Sequence, residues 1–168
     1  KDKWFEKLDP YQGGGSMIDK VEIDNTIFAT GFQKFEAGTP PIAQVIGLGT
    51  SIDFVNSLNL EKIYKYEIEI SNYAIEKIKH LNNLSLYSSD TNRSTIVSFN
   101  ILGIHASDLA LILDQKNVAI RTGHHCAQPL MKYLDIDSCA RASFGIYNNK
   151  NDIDQLNSSI NKCKKIFE

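Results

Sequence analysis

Residues 121–129 read Arg-Thr-Gly-His-His-Cys-Ala-Gln-Pro, and this polar stretch is the most informative part of the chain. The apolar run Val118-Ala119-Ile120 before it predicts a short strand that enters a loop directly. Pro129 can occupy the first turn of a short helix that continues to Leu134. A strand, a polar loop and a helix in this order are typical of a mixed α+β domain.

Cys126 is the candidate nucleophile in this loop. A thiol becomes a useful nucleophile when positive charge or a helix N-terminus favours its thiolate form. His124 and His125 precede Cys126, and Arg121 lies five residues before it. The alternative is a small buried cysteine, for which a polar loop is a poor place. Metal binding by His-His-Cys is disfavoured because adjacent side chains splay apart and no second ligand pair follows at the usual spacing; we predict no metal site.

Arginine is scarce in this chain, and its distribution points to the same region. The 18 basic residues are 15 Lys and 3 Arg, and Arg121 and Arg141 both lie within twenty residues of Cys126. Arginine can hold a carboxylate through two parallel hydrogen bonds, which lysine cannot do. Arg141 alternates with Ala140, Ala142 and Phe144, which predicts a half-buried strand with Arg141 on the polar face.

Periodicity predicts the remaining elements. Short strands are expected at residues 21–23 and 26–28, and Thr39 is a candidate N-cap of a helix whose first turn contains Pro40 and Pro41. A longer helix is expected from about Leu60 to Leu81, and the last helix from about Asp152 to Phe167, with Cys163 on its apolar stripe. Further strands are expected at 84–87, 95–101 and 140–146, with a helix at 107–116. Cys139 and Cys163 are interpreted as packing residues, and His80 and His105 as structural or solvated.

Composition limits the class of protein. The chain has 168 residues, 42% of them hydrophobic, and a net charge of −2 with a pI near 6.1, so we expect no nucleic-acid footprint and no polybasic membrane anchor. No apolar run reaches the roughly 18 residues of a membrane-spanning helix. The three cysteines are odd in number and widely spaced, which favours a reducing compartment over a disulfide framework.

The motifs together resemble the SufS-type (SUF, group II) cysteine desulfurases, which are class V aminotransferase relatives of fold-type I. The segment Arg-x-Gly-His-His-Cys-Ala-x-Pro at 121–129 is similar to the cysteine loop of that family, and its His-His-Cys-Ala form favours the SUF subgroup. Residues 11–18 resemble the family's glycine segment, residues 35–40 its cofactor-phosphate loop, and residues 139–143 its substrate-arginine strand.

The resemblance implies a pyridoxal 5'-phosphate enzyme that converts L-cysteine to L-alanine and keeps the sulfur as an enzyme persulfide. Cys126 takes the position of the nucleophile, Arg141 that of the substrate-carboxylate ligand, and Arg121 that of a second arginine near the substrate. Thr39 matches a residue that contacts the cofactor phosphate of the partner subunit, which implies a homodimer. The implied fold is α/β, with a small mixed α+β sandwich domain after the end of the large domain.

The resemblance also implies that the cofactor lysine lies outside this chain, because no Ser-x-His-Lys segment occurs in it. The chain is therefore expected to be a C-terminal fragment, inactive alone, with residues 1–50 ending the large domain, 51–81 a bridging helix, and 82–168 the small domain with the cysteine loop.

The expected partner is a SufE-like or SufU-like sulfur acceptor in iron–sulfur cluster assembly, in the cytoplasm of a bacterium or the plastid of a eukaryote. A selenocysteine lyase of the same family and a non-enzymatic sulfur-carrier or interaction module remain alternatives.

Overall fold

The computed structural model of the protein describes residues 2–88 and 94–167, which form two compact units, Lys1–Ser57 and Leu58–Glu168. The third arginine, Arg93, lies outside the described residues. The first unit contains α1 (Asp2–Phe5), β1 (Ile18–Val21), β2 (Thr26–Phe28), a 3-10 helix (Gly31–Phe35) and α2 (Ile42–Ser57). The second contains α3 (Leu60–Ile78), β3 (Leu84–Leu86), β4 (Ile96–Ile101), α4 (Ala106–Asp114), β5 (Arg121–Gly123), α5 (Gln128–Tyr133), β6 (Cys139–Ser143) and α6 (Lys150–Phe167).

The first unit is an antiparallel hairpin followed by an apolar helix. Its first strand, β1, lies three residues earlier than predicted, because the turn between the strands closes with Glu22 N–H donating to the carbonyl of Asn25 at 2.7 Å. The helix α2 has no buried residue, although apolar side chains such as Ile46 and Leu48 recur along it. A helix that is apolar on all sides typically packs against further protein.

The second unit is a four-stranded antiparallel sheet with the strand order β3-β4-β6-β5. The helices α3, α4 and α6 cover one face of this sheet. Alternate residues of β4 enter the core, with Phe99 fully buried, and Ala140 and Ala142 of β6 lie beside them. The core between the sheet and the helices contains Ile70, Ala74, Ile78, Val97, Phe99, Leu109, Leu113, Ile153, Leu156, Ile160 and Cys163.

Local signals in the sequence explain where these helices begin. The side chain of Asn59 accepts a hydrogen bond from Lys62 N–H at 3.0 Å and caps α3, which ends at Ile78 rather than Leu81. The ring of His105 accepts from Ser107 N–H at 3.3 Å and caps α4, so the structural interpretation of His105 is confirmed. Phe167 is expected on the buried apolar stripe of α6, but it is exposed at the end of the helix.

The strand before the cysteine loop was predicted at the wrong residues. Residues 118–120 form no strand, and β5 consists instead of Arg121–Gly123, inside the segment interpreted as loop. The backbone of these three residues pairs with β6, whereas Val118 and Ile120 pack against the core as partly buried side chains. The predicted strand at 140–146 likewise ends at Ser143, because Gly145 begins a turn that Asn148 N–H closes at 3.0 Å.

The face of the sheet opposite the helices is polar and carries Arg141. Ser98 lies opposite Arg141 in the β4–β6 register, and Asn100 follows on the same face of β4. The amide of Asn100 donates to the carbonyl of Ser138 at 2.7 Å. Short helix α5 lies at the edge of this face and contributes Leu130 and Met131 to a cleft there.

Candidate active site

Cys126 lies at the tip of a tight turn between β5 and α5. His125 and Cys126 both have left-handed backbone conformations, with φ of +54° and +58°. The turn is closed by Ala127 N–H, which donates to the carbonyl of His124 at 2.9 Å. Two consecutive positive φ angles are the signature of a type I′ turn, which normally selects Asn or Gly. The turn presents the thiol to solvent, and Cys126 is exposed.

Arg121 contacts the sulfur of Cys126 directly. A guanidinium N–H of Arg121 donates to the Cys126 Sγ atom over 3.8 Å between Nη2 and sulfur. Hydrogen bonds from a charged donor stabilise negative charge on their acceptor more strongly than neutral ones do. This contact gives the exposed thiol the cationic neighbour that a sulfur nucleophile requires.

Arg141 lies directly opposite Arg121 on the neighbouring strand. The antiparallel register of β5 and β6 pairs Arg121 with Arg141 and Gly123 with Cys139. Like charges in directly opposed positions destabilise a sheet. The Nε atom of Arg141 is buried and has no hydrogen-bond partner among the described residues. A bound carboxylate would relieve both features, since it supplies acceptors for the guanidinium and negative charge between the arginines.

Arg141 lines a cleft that does not include Cys126. The cleft has a volume of about 450 Å³, within the usual range for small-molecule sites, and Ser98 and Cys139 also line it. Cys126 and Arg121 line a second, open depression of about 510 Å³. His125 borders both, so its side chain lies between the thiol and the Arg141 cleft.

The other two cysteines lack the properties of a nucleophile. Cys139 and Cys163 are buried, which confirms their interpretation as packing residues. Burial raises the pKa of the Cys139 thiol, and the Arg141 guanidinium offsets that rise only in part. Burial also raises the pKa of the Cys163 thiol, with a further contribution from Asp108. Both thiols therefore resist ionisation, and Cys126 is the one exposed cysteine of the three.

Thr39 belongs to the first unit, in an exposed position after Gly38, whose φ is +92°. It does not cap α2, which begins three residues later at Ile42. The predicted glycine segment lies against this loop, with Gly38 N–H donating to the carbonyl of Gly15 at 2.7 Å. A Cβ atom on Gly14 would come within 2.9 Å of the Ala37 Cβ, so a side chain there would force the two segments apart.

Residues 2–88 and 94–167 contain neither a candidate membrane span nor a candidate metal site. No helix in these ranges combines the length and apolar character that crossing a bilayer requires. No group of three or more His, Cys, Asp or Glu side chains in them is placed to hold a metal ion.

The sequence matches the aminotransferase class-V family over residues 1–156. The chain belongs to the aminotransferase class-V family. It is 44% identical to a probable cysteine desulfurase of Halalkalibacterium halodurans, with 97% of this chain and 40% of the relative covered. It is 43% identical to a cysteine desulfurase of Wigglesworthia glossinidia brevipalpis, with 99% and 41% covered. The chain thus spans about two fifths of the length of these relatives.

Solved structures confirm the predicted fold class. A cysteine desulfurase from Escherichia coli, in an S-sulfonic acid form, superposes with a TM-score of 0.90 at 28% identity, over 100% of this chain and 42% of that one. The apo cysteine desulfurase of Thermococcus onnurineus gives 0.85 at 31% identity, over 99% and 41%. A cystine C-S lyase at 17% identity and a TM-score of 0.70, over 95% and 40%, shares the fold alone. The chain therefore has the mixed α/β fold of the C-terminal part of fold-type I pyridoxal-phosphate-dependent enzymes.

The structure brings together three of the four predicted site residues. Arg121 contacts Cys126, and Arg141 is the cross-strand partner of Arg121, whereas Thr39 belongs to the other unit. The sequence interpretation assigned no role to His125 and did not identify Ser98. The alternation of Ser98 with buried Val97 and Phe99 was the available signal for a polar face beside the arginine strand.

Proposed function

We propose that this chain is part of a pyridoxal-phosphate-dependent cysteine desulfurase of the SUF type, with Cys126 as the residue that accepts sulfur. The observation that carries the proposal is the contact between Arg121 Nη2 and Cys126 Sγ in an exposed turn, next to a cleft lined by Arg141. Cys139 also borders this cleft, but its side chain is buried. The cysteine desulfurase names of the relatives support the reaction type.

Arg141 is proposed to bind the carboxylate of L-cysteine. Its buried Nε atom is a donor in need of an acceptor, and the guanidinium fork matches a carboxylate in two parallel hydrogen bonds. The facing Arg121 adds positive charge on the side of the thiol. Together, the two arginines orient an anionic amino acid with one end at Arg141 and leave the thiol free to react.

Pyridoxal 5'-phosphate is the proposed cofactor, and when bound it supplies the electron sink for cleavage of the substrate carbon–sulfur bond. Thr39 and the loop that holds it fit the part of the cofactor site that would bind the phosphate group. The exposed hydroxyl of Thr39, held on a loop that closely contacts the glycine segment, can donate to a phosphate oxygen. The family pattern assigns this contact to the partner subunit's cofactor, so a homodimer with shared active sites is proposed. The lysine that anchors the cofactor is supplied from outside these 168 residues, and the isolated chain is proposed to be inactive.

Within this scheme the side chains of this chain do two things. Arg141 holds the substrate carboxylate, and the Cys126 thiolate attacks the substrate sulfur. A sulfur–sulfur bond forms at Cys126 as the substrate carbon–sulfur bond breaks, and the carbon skeleton is protonated and leaves as L-alanine. A SufE-like or SufU-like acceptor then takes the persulfide sulfur toward iron–sulfur cluster assembly, in a bacterial cytoplasm or a eukaryotic plastid.

Replacing the thiol tests this function in the full-length enzyme. Cys126→Ala should leave folding and the cofactor absorbance nearly unchanged, because an exposed thiol contributes little packing, but it should abolish L-cysteine-dependent sulfide and alanine production. Cys163→Ala is the matched control and should retain most activity, with a stability loss of about 1 kcal/mol from a small cavity. A Cys126→Ala enzyme that transfers sulfur at the wild-type rate would refute the proposal. Equal yields of selenide from selenocysteine and sulfide from cysteine would favour a selenocysteine lyase.

A further inference from the structure

The side chain of His125 makes a hydrogen bond that ties the cysteine turn to strand β6. Its Nε2 atom lies 2.9 Å from the backbone carbonyl oxygen of Cys139. A carbonyl oxygen can only accept, so Nε2 carries the hydrogen and donates it. In the neutral ring, the tautomer is then fixed, and Nδ1 is an acceptor. The bond links residue 125, inside the turn, to a residue fourteen positions later in the sheet.

The turn needs such a tie because its backbone conformation is unfavourable for its residues. A left-handed conformation costs a residue with a Cβ atom roughly 1–2 kcal/mol, and two such residues follow one another here. The single backbone bond from Ala127 to His124 closes the turn without fixing it to the sheet. Among the described residues, the hydrogen bond from His125 to the Cys139 carbonyl is the one that joins a side chain of the turn to β6.

The position of His125 also makes it the boundary between the two halves of the site. It lines the open depression with Cys126 and Arg121, and it lines the cleft with Arg141. Its Nδ1 atom is buried and has no hydrogen-bond partner among the residues described. The Nε2 bond holds the ring between the depression and the cleft, and a rotation of the ring that exposes Nδ1 breaks this bond.

We infer that His125 is a positioning residue: its Nε2–H bond to the Cys139 carbonyl holds the type I′ turn on β6 and thereby holds the Cys126 sulfur beside Arg121. The inference deepens the proposed function, because it assigns the control of the nucleophile's position to a residue that does not itself react. Without the bond, the turn relaxes toward ordinary backbone angles, and the sulfur moves away from the guanidinium.

The test uses four variants of the full-length enzyme. His125→Phe keeps a planar ring but removes both nitrogen atoms, His125→Gln keeps a donor at the distance of Nε2, and His125→Asn keeps a polar group only at the distance of Nδ1. His80→Phe is the matched control, since His80 is exposed and lines neither the Cys126 depression nor the Arg141 cleft. The readouts are kcat and KM for L-cysteine, the melting temperature, and the alkylation rate of Cys126 by iodoacetamide, measured by peptide mapping without substrate.

Loss of a net hydrogen bond corresponds to a change of roughly two- to tenfold. We expect His125→Phe and His125→Asn to lower kcat and the Cys126 alkylation rate by that factor with an unchanged KM. His125→Gln should restore most of both values, and His80→Phe should match wild type. Wild-type values in His125→Phe, a higher kcat in that variant, or equal behaviour of the Gln and Asn variants would overturn the inference. Because alkylation is measured without turnover, it remains informative even if Cys126→Ala shows that the sulfur-transfer proposal is wrong.

Discussion

Replacing Arg141 with lysine tests the most specific claim about substrate recognition. The change keeps the positive charge but removes the planar fork and the buried Nε donor. Lysine can place one ammonium near a carboxylate, but it cannot make the two parallel bonds that a guanidinium makes. The variant therefore isolates the geometry of the contact from its charge.

The expected magnitude follows from the bond that is lost. A hydrogen bond to a charged group contributes about 1.5–3 kcal/mol, which corresponds to a loss of roughly ten- to a hundredfold in affinity for L-cysteine. The buried position of Nε places the effect toward the upper half of this range, because water does not replace the lost donor there. Lysine keeps a positive charge opposite Arg121, so the repulsion between the two strands is unchanged and the substitution should not weaken the fold through charge.

Steady-state kinetics of alanine formation in the full-length enzyme measures this effect, with cofactor absorbance and melting temperature as checks on integrity. KM for L-cysteine should rise far more than the Kd for pyridoxal phosphate. Ser143→Ala, two residues further along β6 and exposed, is the control and should leave KM unchanged. An unchanged KM and kcat in Arg141→Lys would remove Arg141 from the substrate site and refute the reasoning.

Two further predictions concern stability. Phe99→Ala should lower the free energy of unfolding by about 3–5 kcal/mol in chemical denaturation, because Phe99 is fully buried in the core. Leu102→Ala is the control and should change the free energy of unfolding by less than about 0.5 kcal/mol, because Leu102 is exposed. Similar losses in the two variants would contradict the packing described. Because the pKa of the Cys163 thiol is raised in the folded protein, the thiol ionises at a lower pH in the unfolded chain than in the folded one. The contribution of the protonated thiol to the free energy of unfolding is therefore complete below the ordinary thiol pKa of 9.0, and it is lost as the pH rises through the folded pKa. Melting temperatures measured from about pH 7 to pH 10 should therefore fall less steeply above pH 9.0 in Cys163→Val than in wild type, and parallel curves would show that Cys163 makes no such contribution.

Much of the fold could be predicted from periodicity because the amphipathic elements are regular. The helical spacing of Ile70, Ala74 and Ile78 predicts α3, and the alternation of Arg141 with Ala140 and Ala142 predicts the polar side of β6. The errors occurred where backbone pairing decides the structure. Arg121–Gly123 is polar and contains glycine, so its side chains give no strand signal, yet its backbone completes the sheet next to β6.

The candidate site was predictable in its chemistry but not in its arrangement. Residue types and scarcity pointed to Cys126, Arg121 and Arg141, but the direct opposition of the two arginines follows from the β5–β6 register, which the misplaced strand at 118–120 concealed. The tie from His125 to Cys139 could not be anticipated, because it joins a side chain to a backbone carbonyl fourteen residues away. The two turn residues with positive φ, His125 and Cys126, are neither Asn nor Gly, so the sequence does not indicate this turn conformation.

Mapping the persulfide by mass spectrometry tests the central claim most directly. The full-length enzyme is treated with L-cysteine in the absence of an acceptor, its remaining thiols are alkylated, and it is digested under non-reducing conditions. The account predicts one additional sulfur atom on the peptide from Thr122 to Lys132, which contains Cys126, and none on the peptides that contain Cys139 or Cys163. Additional sulfur on Cys139 or Cys163, with an unmodified Cys126 peptide, would contradict the assignment of the nucleophile.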